Sequence, residues 1–189
     1  MFSGRVSGTT KIKVMGIKSI IIDQKQVEAG CNAALKWCNE HFAGKQVIVL
    51  GILKGCIPFL GKLISQFTFD LQLDFVAVAS YHGGSRQQEA PKIVLDMSHD
   101  PKGKDILLIE DIVDSGRSIK LVLDLLHTRK AKSVILVSFI EKLKPREADI
   151  KVDYSCFKNQ DEFLVGFGLD YQGFYRNLPY VGVFDPEDN

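Results

Sequence analysis

A chain of 189 residues with 46% hydrophobic and 25% charged residues can bury one well-developed core, which points to a single domain over 1–189. A formal net charge of +1 gives no global basis for holding nucleic acid or an acidic membrane, and no apolar run reaches the roughly 18 residues of a membrane span. The polar, glycine-containing start lacks the h-region of a signal peptide. Cys31, Cys38, Cys56 and Cys156 form no C-x-x-C pair and read as reduced structural thiols, so a cytoplasmic protein without a zinc site is expected.

In chain order, residues 1–15 read as an arm that is poorly ordered or adds a strand, and Lys18–Ile22 as a short strand. Asp23-x-x-Gln26 resembles a capping box and opens a helix to Phe42, with Val27, Ala34, Trp37 and Cys38 on its apolar stripe and Gly44 as its stop. Val47–Leu53 suits a buried strand that runs into Lys54-Gly55. A helix to Phe67 follows, with Ile57, Leu60, Ile64 and Phe67 at helical spacing. Leu71–Ser80 reads as a strand and Tyr81–Lys92, rich in glycine, glutamine and serine, as a loop or flap before Ile93–Leu95.

The stretch Lys104–Ser118 organises the chain. Ile106–Ile109 is an unbroken apolar run, as in a strand buried on both faces of a parallel sheet, and Glu110-Asp111 ends it abruptly. Asp114–Ser118 is a short hydroxyl- and glycine-containing turn, and Ile119, Val122, Leu123 and Leu126 then recur at helical spacing. A loop that opens a helix offers unpaired N–H groups and a positive dipole end to a phosphate. Ser115 and Ser118 add hydroxyl donors, and Gly116 admits close approach. The carboxylates suit ribose hydroxyls or a cation accompanying the ligand. The pattern reads as a ribose-5-phosphate cradle.

Ser133–Ile140 is a further strand, and Lys144–Asp149 a turn. Tyr154–Phe157, Phe163–Val165 and Tyr180–Phe184 look like short strands of a small hood over the ligand edge. Alternating strands and helices imply a mainly parallel sheet with helices on both faces and ligands at the strands' carboxyl ends. The expected division is an arm over about 1–15, a core over about 20–143, and a mostly hood and C-terminal-strand part over about 144–189. Gly55–Leu63 fails as a Walker A loop, with one residue too many and Leu63 where Ser or Thr must stand. Gly166-Phe-Gly168 lacks the third glycine of a dinucleotide fingerprint. His41, His82, His99 and His127 have no ligand spacing and read as surface residues; Trp37 reads as core.

The sequence I-L-L-I-E-D-I-V-D-S-G-R-S, from Ile106 to Ser118, resembles the phosphoribosyl-diphosphate (PRPP) motif of the type I phosphoribosyltransferases. Among them it is most similar to the hypoxanthine-guanine phosphoribosyltransferases, and the likeness covers about residues 20–184 in four motifs. It implies the α/β fold of that family. Lys54 and Gly55 match the pyrophosphate loop, where the peptide before the lysine is cis in the family, and Ser80-Tyr81 matches the start of the lid, although His82–Ser85 departs from the family pattern. Glu110 and Asp111 would take the ribose 2- and 3-hydroxyls or help bind metal, and Asp114 would be the general base or acid at purine N7. Ser115, Gly116, Arg117 and Ser118 would hold the 5-phosphate, where the family often has threonine and lysine.

The same resemblance aligns Lys142 with the donor to the purine 6-oxo group, with Lys144 as a nearby alternative. It makes Phe163 a stacking platform, Leu164 a backbone contact to the base, Asp170 a Mg²⁺ ligand and Arg176 a pyrophosphate contact. The implied reaction moves a 5-phosphoribosyl group from PRPP to N9 of hypoxanthine or guanine with Mg²⁺, giving IMP or GMP and pyrophosphate in purine salvage. A homodimer or homotetramer is implied. The alternatives are a xanthine-preferring enzyme and a PRPP-sensing regulator that binds nucleic acid; near-neutral charge and Asp114, Lys142, Phe163 and Asp170 favour the enzyme.

Overall fold

The computed structural model describes residues 16–79 and 90–185. Its main sheet contains β2 (Gln46–Leu53), β3 (Asp70–Ala79), β4 (Lys92–Leu95), β5 (Asp105–Val113), β6 (Ser133–Lys142) and β7 (Tyr154–Asn159). The order is β4-β3-β2-β5-β6-β7, all parallel except the antiparallel edge strand β4. A smaller antiparallel sheet joins β1 (Ile17–Ile22), β9 (Val181–Phe184) and β8 (Leu164–Val165) in the order β1-β9-β8.

Strand alternation divides the core between the two faces. Val47, Val49, Leu107 and Ile109 point to the side of α1 (Gln24–His41) and α2 (Cys56–Leu63). Ile48, Leu50, Ile52, Ile106 and Leu108 meet Ile119, Val122 and Leu126 of α3 (Arg117–Thr128) on the other. The capping box of α1 forms as expected: Gln26 N–H donates to Asp23 and the Gln26 side chain accepts from Asp23 N–H, both at 2.8 Å.

Four expectations change. The acidic pair does not end β5: the ladder to β6 continues through Glu110↔Ser138, Ile112↔Ile140 and Val113↔Glu141, so both carboxylates lie within the sheet. Tyr154–Phe157 is no hood strand; β7 extends the main sheet beside β6 and packs on α1, where a Cβ at Gly30 would meet the Phe157 ring at 2.6 Å. In α2 the inward stripe is Cys56, Phe59, Leu60 and Leu63, while Ile57 is 53% exposed. A 3₁₀ turn over Ile64–Gln66 ends that helix before Phe67. Finally, His99 is no free surface residue. Its Nδ1 lies 2.8 Å from Asp74, whose Oδ2 also accepts from the backbone N–H of Ser98 and of His99.

Candidate active site

The carboxyl ends of β2 and β5 open into a cleft of about 250 Å³. Lys54 and Gly55 enter it from the end of β2, after a cis Leu53–Lys54 peptide of the kind the resemblance implied. Glu110 and Asp111 form its floor, 8% and 7% exposed. Asp111 turns one oxygen to Ile112 N–H at 2.7 Å and the other toward Gly55, where a Cβ would stand 1.6 Å from it. Only glycine fits there. Burial, then the hydrogen bond and charge of Asp111, push the Glu110 carboxyl well above the ordinary range. Two buried carboxyls side by side seek a cation or hydroxyl donors.

Past β5 the chain turns into α3. Gly116 is the N-cap with φ +79°, a conformation that glycine adopts without the Cβ penalty. Ser115, Gly116 and Ser118 line the cleft beside this helix start. Arg117 does not line it: its guanidinium meets Glu147 at 3.7 Å.

Asp114, first residue beyond β5, is clasped by lysines that follow the neighbouring strand. Lys142, the last residue of β6, reaches Asp114 Oδ2 at 3.0 Å, and Lys144 reaches Oδ1 at 2.8 Å. Both ammonium groups also approach Asp161 Oδ1, at 3.5 and 2.6 Å. Burial alone would raise the Asp114 carboxyl. The hydrogen bonds and charges of Lys144 and Lys142 outweigh it and hold the group below the ordinary carboxylate range.

The segment around and after β8 supplies the remaining candidates. Phe163 precedes β8 and is 49% exposed, with its ring edge-on to Tyr171 at 5.9 Å and 87°. Phe184 lies against it as well, at 6.0 Å and 53°, and about half of Phe163 stays exposed. Leu164 is buried in the ladder opposite Val183. Beyond β8 the backbone turns repeatedly through positive φ, at Gly166, Phe167, Gly168, Gln172, Gly173 and Tyr175. The turns bring Asp170 and Arg176 together at 2.6 Å on the cleft wall, where Arg176 also donates to the Gly168 carbonyl at 2.5 Å and Asp170 accepts from Gly173 N–H at 2.8 Å. Ser80 and Tyr81 lie outside the described residues. Asp161 opens the segment that carries Phe163 but had no expected role, and Lys144 was expected only as an alternative to Lys142. The signal was available: alternation puts residues 142 and 144 on one side, and Pro145 restrains Lys144 to an extended backbone.

Comparison with known proteins agrees with this geometry. The family model described as "Phosphoribosyl transferase domain" matches residues 19–172. The hypoxanthine-guanine phosphoribosyltransferase of Mycoplasma genitalium is 73% identical over 174 residues, covering 92% of this chain and 99% of its own. That of Lactococcus lactis is 42% identical, covering 90% and 93%. A crystal structure of a hypoxanthine phosphoribosyltransferase from Staphylococcus aureus superposes with a TM-score of 0.84 at 37% identity, over 91% of this chain and 94% of that one. A parallel sheet carrying its cradle at the carboxyl end of β5, with these relatives along nearly the whole chain, places the protein in the hypoxanthine-guanine phosphoribosyltransferase family, on the type I fold.

Proposed function

We propose that the chain transfers the 5-phosphoribosyl group of PRPP to N9 of hypoxanthine or guanine, releasing pyrophosphate in purine salvage. The observation that carries this reading is the convergence, around one cleft, of a helix-opening loop at Ser115–Ser118, the buried Glu110–Asp111 pair and Asp114, which Lys142 meets at 3.0 Å. Ser115, Gly116 and Ser118 take the 5-phosphate through backbone N–H and hydroxyl donors. Glu110 and Asp111 accept from the ribose hydroxyls and so fix the ring. Lys54 and Arg176 face the leaving diphosphate, whose negative charge grows as the bond to the anomeric carbon breaks.

At the base, Phe163 offers the ring for stacking and Lys142 a cation for the 6-oxygen. A cation there prefers a carbonyl acceptor to an amino group, which favours 6-oxopurines over adenine. Asp114 receives the proton at N7 as N9 becomes nucleophilic. The oxygen-only donors Asp170, Glu110 and Asp111 suit Mg²⁺, a hard cation that keeps water and substrate oxygens in its shell. Bound there with PRPP, it would neutralise charge on the diphosphate. Among the described residues no three acidic, His or Cys side chains form a cage on their own, which fits a cation arriving with its substrate.

We further read the enzyme as cytoplasmic and as a homodimer or homotetramer. Exposed Leu73, Val94 and Leu95 on β3 and β4 support self-association. We keep the division into arm, core and hood, with β7 counted to the core sheet. The test is pyrophosphate release from PRPP and Mg²⁺ against hypoxanthine, guanine, xanthine, adenine and uracil in parallel. Turnover with hypoxanthine and guanine supports the reading. Turnover confined to xanthine would replace the base, and PRPP binding without turnover on any base would overturn it.

A further inference from the structure

Asp114 faces two ammonium groups, and the reaction can leave it only one. Lys142 is 7% exposed and stands at the end of β6, and its cation is the one offered to the purine oxygen. As it turns to that oxygen, Asp114 keeps its charge only if another cation stays beside it. Lys144 is the group in place. It reaches the other oxygen of the Asp114 carboxylate at 2.8 Å and is tied on its far side to Asp161 at 2.6 Å. Leu143 between the lysines is 53% exposed, so both ammonium groups lie on one side of the chain and the apolar residue on the other.

We propose that Lys144 is a positioning residue of the transfer reaction: anchored by Asp161, it holds the Asp114 carboxylate toward the base site and remains its cationic partner when Lys142 engages the purine. The inference rests on Asp114 being the group that serves N7. The other charges near Asp114 are Glu110 and Asp111 on β5, the strand it follows, and Lys54, Asp170 and Arg176 across the same cleft. Among the described residues, the cations paired with Asp114 are Lys142 and Lys144. The Asp114 carboxyl is held below the ordinary range by both lysines, and the Lys144 ammonium is held far above its ordinary range by Asp114 and Asp161.

The experiment follows the Asp114 carboxyl by carbon-detected NMR during a pH titration of the full chain, for the wild type, Lys144→Met, Lys144→Arg and Asp161→Asn. Lys144→Met should titrate at higher pH than the wild type, and Lys144→Arg close to it. Asp161→Asn, which releases the anchor and lets Lys144 leave Asp114, should move the titration the same way and serves if Lys144→Met does not fold. In steady-state kinetics the acid limb of kcat should rise in Lys144→Met further than that of kcat/KM, because substrate has by then drawn Lys142 away. On that limb turnover should fall by about tenfold at a given pH, the consequence of losing one close opposite charge. Identical Asp114 titrations in the wild type and Lys144→Met, or a failure of Asp161→Asn to move it, would overturn the proposal. Full turnover in Asp114→Asn would instead sink the reading of Asp114, whatever the NMR shows about Lys144.

Discussion

Gly168 of the segment after β8 and Gly55 of the loop after β2 meet backbone to backbone: a Cβ at residue 168 would stand 2.1 Å from the Gly55 carbonyl oxygen. On its other side Gly55 presses on the Asp111 carboxylate. Three parts of the site, from β2, β5 and the segment after β8, are therefore in register through two positions without side chains. The Gly168 carbonyl accepts from the Arg176 side chain and the Gly168 N–H donates to the Arg176 carbonyl, so Arg176 is tied to the segment that packs on Gly55.

Alanine at either glycine should damage the site by different routes. At Gly168, φ is +101°, so Ala adds backbone strain to the clash and should cost roughly 2–3 kcal/mol of stability, read as a lower melting temperature. At Gly55 the new methyl group displaces the Asp111 carboxylate rather than a backbone atom. The loss there should appear as a higher KM for PRPP and a fall in kcat/KM on the order of 10²-fold, the scale of a small misplacement at a reacting centre. Wild-type kinetics in Gly55→Ala would refute the contact.

Asp114→Asn should lower kcat by about 10²-fold or more, the usual scale of acid–base catalysis. The amide keeps the shape and can still meet Lys142 or Lys144 through its oxygen, but it cannot take the N7 proton. PRPP binding should persist, since the phosphate loop and the Glu110–Asp111 floor are untouched. Single-turnover measurements at saturating PRPP separate the two effects.

What the sequence made legible was local. The capping box at Asp23 and Gln26, the apolar run of β5 and the turn into α3 are each written in a few adjacent residues, and they formed as read. Non-local pairing was not legible. β1 joins β9 from the far end of the chain, and β7 attaches to β6 rather than to the hood, because only packing of Phe157 against α1 distinguishes the two placements. In α2 two stripes share helical spacing, and the close packing of Cys56 on Gly51 decides between them. The positions of Lys54, Asp114 and Lys142 at strand ends followed from the fold. The ion-pair square with Lys144 and Asp161 did not, since it needs the turn after β6 and the approach to β8 in the same place.

The cysteines should be silent in the folded enzyme. Cys38 and Cys56 are fully buried, and burial pushes both thiols up to about 12; the Cys31 thiol rises to about 11 for the same reason. Cys156 is partly buried, donates to the Gly30 carbonyl at 3.4 Å and is likewise pushed up. Thiolate is the reactive form, so a disulfide reagent at pH 8 should label none of them quickly without denaturant. All four should react once urea unfolds the chain. Rapid labelling of one thiol in the native protein would show local opening on that side of the sheet.

Acid stability should depend on Asp74. Its carboxylate, 10% exposed, accepts from the N–H groups of Phe75, Ser98 and His99, the Ser98 hydroxyl and the His99 ring, and so ties β3 to the segment between β4 and β5. Burial would raise this carboxyl, but the hydrogen bonds from His99, Phe75 and Ser98 outweigh it and bring it down to about 2, from 3.8. A carboxyl that is more acidic in the folded than in the unfolded chain stabilises the fold in its ionised form. The contribution, about 2 kcal/mol, is complete above about pH 4 and disappears as pH falls from about 4 to about 2. Asp74→Asn should therefore lower stability at pH 7 by about that amount and flatten this part of the acid limb. Urea unfolding at a series of pH values measures both effects; parallel acid limbs for the variant and the wild type would show that the carboxylate does not carry the linkage.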